Sequence, residues 1–154
     1  MMIKQPNSNH CFVCGRGNPY GLHLKFYENT PGEVIVEYTV PDQYQGYPGV
    51  VHGGVVAAML DEVTGRVHMD GHPPRFMFTA RLDVRYRKNV PVGQPLRIVG
   101  RAGISKERTA TATAQIFGPE GDILAEADAV LVNVPEGVVD KVDLEALGWK
   151  VDPD

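Results

Sequence analysis

Apolar and polar residues alternate with a period of two over most of the chain, and this pattern predicts β-strands. Six strands are predicted, over 21–28, 33–40, 79–87, 96–104, 108–117 and 123–134. The segments between them are mostly short and rich in glycine, proline and charged residues, which is typical of turns. Long strands on short connections favour antiparallel pairing.

One segment has the period of a helix instead, from Gly53 to about Met69, and His72-Pro73-Pro74 ends it. Projection at 100° per residue places five apolar side chains on one stripe: Val56, Met59, Leu60, Val63 and Val67. The side around Asp61 carries mostly small residues: Gly54, Ala57, Ala58, Thr64, Gly65 and His68. We therefore expect an α+β fold, a curved antiparallel sheet of five to six strands wrapped around one long central helix, with a small-residue face open to a second subunit or a ligand.

The run from His52 to Glu62 combines two features that suggest chemistry. Charged side chains are seldom fully buried unless paired, and desolvation raises a carboxylate pKa, so Asp61 inside an apolar helix is a candidate acid or base. Gly53 and Gly54 leave backbone N–H groups uncovered at the helix start, where negative charge is favoured. Glu62 is predicted to be a structural or rim charge.

The spacing between these features predicts a dimer. Gly53 and Asp61 are eight residues apart, which is about 12 Å along a helix. Attack and oxyanion stabilisation need groups about 3 Å from the reacting atoms. One chain cannot place both beside the same carbon, so we expect Asp61 of one subunit to face Gly53 of its twin across a two-fold axis.

Length and composition indicate one globular domain over 1–154, with an N-terminal loop at 1–18 and a C-terminal tail at 135–154. The chain has 43% hydrophobic and 22% charged residues and lacks both a membrane-length apolar run and a secretory signal. We therefore expect a cytoplasmic protein without a membrane partner. A net charge of −4 gives no basic field for nucleic acid.

Cys11 and Cys14 have a spacing that zinc sites use, with His10 and His23 as the remaining candidates. That set would place three of four ligands within five residues and lacks a second Cys or His pair. A redox pair is less favoured still, because such motifs usually open a helix after a strand. We expect two small residues packed in a loop, and no metal.

Several motifs together resemble one family, the hotdog-fold acyl-CoA thioesterases of the phenylacetate-pathway (PaaI-like) type. They are Cys11-Phe12-Val13-Cys14-Gly15 with Asn18-Pro19 and Gly21-Leu22, Gly46-Tyr47-Pro48-Gly49 before His52-Gly53-Gly54, Asp61 in its helix, and Thr79-Ala80 with Leu82, Tyr86 and Pro91. The resemblance covers most of the chain. It implies hydrolysis of an acyl-CoA without a cofactor, a homodimer whose sheets join edge to edge, and often a dimer of dimers.

The resemblance also implies roles for individual residues. Asp61 is the general base or nucleophile, and the backbone N–H of Gly53 polarises the thioester carbonyl. Thr79 matches a hydroxyl that helps to place the water or the carboxylate. His52 matches a residue that orients the glycine loop, and Gly54 is expected at the substrate.

The chain departs from several relatives six residues before the histidine. They carry an asparagine where this chain has Gly46, with Gln43 and Gln45 nearby. We expect Gln45 to supply the missing amide, or that role to be absent.

The phosphates of CoA require cations. Two basic clusters are candidates, Arg87 with Lys88 at a strand end and Lys106 with Arg108 at a hairpin turn.

Two other function classes stay open at this point: an acyl-thioester dehydratase or hydratase on the same fold, and a non-enzymatic acyl-CoA binding or sensing protein. The acyl group, and the choice between CoA and acyl-carrier-protein thioesters, stay open as well.

Overall fold

The computed structural model describes residues 1–71, 73–139, 141 and 143–154. A single antiparallel sheet of seven strands, in the order β1-β2-β3-β5-β6-β7-β4, contains the strands of this part. The strands are β1 (Ile3–Lys4), β2 (Tyr27–Thr30), β3 (Glu33–Thr39), β4 (Met77–Tyr86), β5 (Pro95–Ser105), β6 (Thr109–Phe117) and β7 (Ile123–Asn133). The helices are α1 (Gly53–Arg66) and α2 (Glu136–Val139), with a 3-10 turn at Asp42–Tyr44.

Helix α1 packs against the sheet and contacts five of its strands, β3 to β7. All five residues of the predicted apolar stripe are buried. Gly100 lies on β5 where the helix comes closest, since a Cβ there would lie 2.5 Å from Val63 Cγ1. The predicted α+β class, a sheet around one long helix, is confirmed.

The first predicted strand is shorter than expected, because alternating burial does not require strand pairing. Leu22, Leu24 and Phe26 are buried as the alternation predicts, yet the chain becomes a strand only at Tyr27. The amides of Leu22 and Leu24 instead donate to carbonyls of the irregular N-terminal segment. The two-residue β1 adds a further strand, which raises the total to seven.

The helix ends three residues before the predicted limit, at Arg66, and a turn follows in which the Met69 amide donates to the Arg66 carbonyl. His72, predicted as part of the stop signal, lies outside the described residues. Thr64 and His68 are buried; the Thr64 hydroxyl donates to the Asp61 carbonyl, and His68 Nε2 bonds the Thr111 carbonyl. The accessible small-residue face around Asp61 therefore narrows to Gly54, Ala57, Ala58 and Gly65.

The two ends of the chain pair with each other. The amides and carbonyls of Asn7 and Lys150 exchange hydrogen bonds of 2.9 and 3.1 Å, and Arg16 forms a 2.9 Å ion pair with Asp152. The C-terminal tail forms turns between residues 143 and 149, through hydrogen bonds such as that from the Leu147 amide to the Asp143 carbonyl. The next residues carry the indole of Trp149 onto the ring of Phe76, with 5.3 Å between centroids.

In the part of the chain that the structure describes, none of the helices is both long and apolar enough to cross a membrane.

Candidate active site

Asp61 and Thr79 meet between the helix and the edge of the sheet. The Thr79 hydroxyl donates to Asp61 Oδ1 at 2.6 Å. Asp61 is half-buried on α1, and Thr79 is exposed on β4. A hydrogen bond to an ionised carboxylate is stronger than a neutral one, so this contact fixes the orientation of the carboxylate.

A bulge in β4 accompanies this position of Thr79. Thr79 pairs with Leu131 and Arg81 with the neighbouring Val130, which leaves Ala80 as an extra residue. Bulges bend a strand and redirect its side chains. The bulge residue Ala80 directly follows Thr79, the residue that contacts Asp61.

The helix start holds a free amide next to an occupied one. His52 is the N-cap, and its Nδ1 accepts the Gly54 N–H at 2.9 Å. An accepting Nδ1 assigns the proton of a neutral imidazole to Nε2. The Gly53 N–H has no acceptor among the described residues. The expectation that both glycine amides are uncovered therefore holds for Gly53 alone.

Tyr86 holds this helix start in place. Its hydroxyl donates to the Gly53 carbonyl at 2.7 Å. A Cβ on Gly53 would lie 3.6 Å from the hydroxyl oxygen of Tyr86. Tyr86 ends β4, the strand that also carries Thr79. One strand therefore positions both the carboxylate and the free amide.

Gly53 and Asp61 do not meet within one chain. Both lie on α1, and eight residues of helix separate them by about 12 Å. The single chain thus keeps the Asp61 carboxylate and the Gly53 amide apart.

The loop before His52 brings Gly46 so close to His52 that little space is left for a side chain at position 46. A Cβ there would lie 3.1 Å from the Cα of His52, closer than most side chains tolerate. Gln45 is exposed on this loop, and its side-chain oxygen accepts the Gly49 N–H at 3.2 Å. The amide that we expected to replace the asparagine is therefore engaged within its own loop.

The four basic candidates fall into two groups. Arg87 and Lys88 are each paired at 2.9 Å, with Glu126 and Asp122 respectively. The hydrogen bond to Asp122 raises the pKa of Lys88.

Lys106 and Arg108 form no ion pair with any described residue. Both flank the β5–β6 turn, and Arg108 lines an open cavity of about 640 Å³.

Asp61 and Thr79 open onto another cavity, of about 220 Å³. Its wall includes Ser8, Cys11, Cys14, Glu62, Arg66 and Trp149. The cavity therefore joins α1 and β4 to segments from both ends of the chain.

Glu62, the residue after Asp61, is half-buried and paired with Arg66. Burial raises its pKa, while the Arg66 guanidinium acts in the opposite direction through a 3.1 Å ion pair. Arg66 also donates to the Pro6 carbonyl and lies over the ring of Phe26, 3.8 Å from its centroid. The structural role predicted for Glu62 agrees with this pairing, although the sequence does not indicate that Glu62 reaches the cavity.

The two cysteines are packed in the N-terminal loop as expected, Cys14 buried and Cys11 half-buried. The hydrogen bond from the Cys11 thiol lowers the pKa of Cys14 to about 5, and it raises the pKa of Cys11 itself. His10 is exposed, and His23 Nε2 bonds the Asn18 carbonyl. The ligand set with the two histidines is therefore not assembled.

Three contributors to this region were missed by sequence reasoning: Tyr86, Glu62 and Trp149. Tyr86 belongs to the motifs of the family resemblance and lies at the end of a predicted strand, but neither signal gave it a role at the helix start. Glu62 follows Asp61 directly, which suggests a different helix face rather than a shared cavity. Trp149 lies in a tail without periodicity, so no pattern placed it.

Comparison with known proteins identifies the family. The model of the thioesterase superfamily matches residues 48–125, about half of the chain, and these include α1, Asp61 and Thr79. The chain belongs to the thioesterase superfamily. The resemblance to hotdog thioesterases is thus confirmed, and the phenylacetate-pathway subtype stays a prediction.

Individual members of the thioesterase superfamily agree with this assignment. Acyl-coenzyme A thioesterase THEM4 of Xenopus laevis is 27% identical over 115 residues, 73% of this chain and 50% of that protein. A thioesterase superfamily protein of known crystal structure is 30% identical, with a TM-score of 0.74 over 80% of this chain and 63% of its own. A Streptococcus mutans protein solved with acetyl-CoA shares the fold at 22% identity and a TM-score of 0.65, over 72% of this chain and 88% of its own. The chain spans half the length of the curated Xenopus relative.

Proposed function

We propose that this thioesterase superfamily member hydrolyses acyl-CoA thioesters to the free acid and CoA. The observation that carries the proposal is the Asp61 carboxylate, oriented by Thr79 at 2.6 Å on the wall of a cavity. The name of the Xenopus laevis relative supports a CoA thioester as the substrate class.

In the proposed reaction Asp61 acts on the acyl carbonyl carbon by one of two routes. It takes a proton from a water that attacks this carbon, or it attacks the carbon itself to form an anhydride that water then hydrolyses. In both routes the C–S bond breaks and CoA leaves as the thiolate, which takes a proton from protonated Asp61 in the first route and from water in the second. A positioned base contributes about 10²–10⁴ in rate and an oxyanion donor about 10²–10³.

The oxyanion donor in this proposal is the Gly53 amide of a partner subunit. Within the described residues this amide has no acceptor, and the single chain keeps it away from Asp61. Strand β4 supports a dimer, because among the described residues its ten residues pair only with β7 and leave a long open edge. Pairing of two β4 edges would cover them and bring the small-residue face of one α1 towards the other. We expect a homodimer and, through further contacts, a dimer of dimers.

Lys106 and Arg108 are proposed to bind the CoA phosphates, since they have no carboxylate partner among the described residues. We expect Arg108→Gln to raise KM for an acyl-CoA with kcat nearly unchanged. Arg87→Gln is the matched control, because its guanidinium is already paired with Glu126. A larger KM effect at Arg87 would reverse this assignment.

Asp61→Asn tests the function itself. Wild type and variant are assayed for free thiol on short aliphatic, long aliphatic and aromatic acyl-CoAs, and we expect a loss of about 10²–10⁴ in kcat. Glu37→Gln is the control, because Glu37 is an exposed carboxylate on β3, away from the β4 edge, and pairs with Arg97. Unchanged turnover in Asp61→Asn would exclude both routes. Binding of the wild type to the panel without thiol release would favour a sensing protein instead.

A further inference from the structure

A second group of reactive side chains lines the cavity beside Asp61 and has no part in the proposed hydrolysis. The Sγ atoms of Cys11 and Cys14 and a carboxylate oxygen of Glu62 all lie within 4.8 Å of one another. The distance from Cys11 Sγ to Glu62 Oε2 is 3.9 Å. Two thiols and a carboxylate converge here from two separate parts of the chain.

These separations are close to those of ligands around one metal ion. Zinc binds cysteine sulfur at about 2.3 Å and carboxylate oxygen at about 2.0–2.2 Å. In a tetrahedral site such ligands lie about 3.5 to 3.8 Å from each other. Side-chain rotations that shorten these separations by about 1 Å or less would therefore bring the three atoms around a common centre.

The loop that carries both cysteines is already shaped to hold sulfur ligands. The backbone N–H groups of Val13 and Cys14 point at Cys11 Sγ, at 3.4 and 3.5 Å. The turn closes through a 2.9 Å hydrogen bond from the Gly15 amide to the Cys11 carbonyl. Any side chain at Gly15 would collide with this carbonyl, since its Cβ would lie 2.5 Å away. Amide donors to sulfur stabilise a thiolate, the form that binds metal.

Arg66 provides the outer support that a carboxylate ligand requires. It binds Glu62 through Oε1 at 3.1 Å, so Oε2 is left facing Cys11. Ligating groups in metal sites are usually held by such second hydrogen bonds. The positive charge of Arg66 offsets the negative charge of the Glu62 carboxylate. The two thiolates would then leave two negative charges, which a divalent cation neutralises.

We propose that Cys11, Cys14 and Glu62 bind one zinc-like divalent metal ion, whose fourth coordination position faces the cavity shared with Asp61 and Thr79. All three side chains line that cavity, so a water or a ligand group there would complete the tetrahedron. The site ties the N-terminal loop to α1. It differs from the sequence-based expectation of no metal and from the ligand set weighed there, because its third ligand is Glu62 in place of the two histidines, and it does not depend on the proposed hydrolysis.

Metal binding to the reduced full-length protein tests the proposal. We expect one equivalent of zinc by elemental analysis after purification without chelator. After chelator treatment, added Co²⁺ should give a thiolate-to-cobalt charge-transfer band and the visible bands of a tetrahedral site. Cys11→Ser and Cys14→Ser should lose the charge-transfer band or most of its intensity. Glu62→Gln should weaken affinity by on the order of 100-fold or more, because even outer-shell losses cost about 10–100-fold.

His10→Asn and His23→Asn are the matched controls, and asparagine suits the positive φ of 59° at His23. Both should bind Co²⁺ like the wild type. Loss of binding in either one, or wild-type affinity in Glu62→Gln, would overturn this ligand set.

Thiol reactivity provides a readout on the wild type if the variants do not fold. Zinc should slow the reaction of both thiols with a disulfide reagent. A reduced protein that binds neither metal, or whose thiols react equally fast with and without zinc, would overturn the site.

Discussion

Replacing Gly53 by proline would remove one N–H group from the helix start and little else. Gly53 is the first residue of α1, where proline is well tolerated because the N–H there has no helical partner. The preceding His52 has φ −54° and ψ 134°, a conformation that a residue before proline readily adopts. A Cβ at this position meets Tyr86 no closer than 3.6 Å. The fold should therefore persist.

The expected loss of activity follows from the role of that N–H. Removal of one oxyanion donor costs about 10²–10³ in kcat, or about 2.7–4 kcal/mol. Gly53→Ala keeps the N–H and is the control, so its kcat should stay much closer to wild type. Thiol release from an acyl-CoA measures kcat, and thermal unfolding verifies the fold. Equal kcat values for the proline and alanine variants would refute the oxyanion role of Gly53.

The same variant tests whether the site is shared between subunits. Gly53→Pro and Asp61→Asn chains are co-expressed with different tags, so that mixed dimers form. If each site combines Asp61 of one subunit with Gly53 of the other, a mixed dimer has one doubly defective site and one intact site. Random pairing makes half of the dimers mixed, so about a quarter of wild-type activity should return. No recovery in isolated mixed dimers would refute the shared site.

Three smaller changes probe the contacts around it. Thr79→Val should lower kcat about 10- to 150-fold, because it removes a hydrogen bond to the Asp61 carboxylate. Thr79→Ser keeps the hydroxyl and should retain most of the activity. Equal losses in both variants would point to packing instead. Tyr86→Phe should lower kcat about 2- to 10-fold by releasing the Gly53 carbonyl, and a change confined to KM would contradict this positioning role. Burial raises the pKa of Glu62, so the folded state holds this proton more tightly than the unfolded state. With a chelator present, the free energy of unfolding of the wild type should therefore fall relative to that of Glu62→Gln as the pH rises above about 4.3. Urea denaturation at several pH values measures this difference, and a relative increase with pH would contradict the raised pKa.

Sequence patterns predicted the parts of the fold that depend on regular periodicity. The strands from β4 to β7 begin and end within two residues of the predicted limits, and the apolar stripe of α1 is buried as expected. The prediction of a strand over 21–26 was wrong, because alternation indicates which side chains are buried and does not identify the hydrogen-bond partner of the backbone. Its partner is an irregular loop, which has no period to detect.

The candidate site divides in the same way. Asp61, Thr79 and the Gly53 amide belong to motifs, and the structure places the first two in contact. The approach of Glu62 to the cysteines has no such signal, since it depends on how the N-terminal loop folds against α1. Pairing of Arg87 and Lys88 with carboxylates on the β7 side also requires knowledge of the sheet register.

The pairing of the two chain ends has a consequence for the order of folding. Ser8 and Trp149 stand almost a full chain length apart in sequence, yet both wall the cavity beside Asp61. Contacts of such long sequence separation carry a high loop-closure cost and tend to form late. During synthesis the sheet and α1 can assemble first, whereas the cavity stays open on one side until the segment around Trp149 has been made and has packed against it. The wall of the cavity is therefore complete only when the segments that carry Ser8 and Trp149 have both been made and packed.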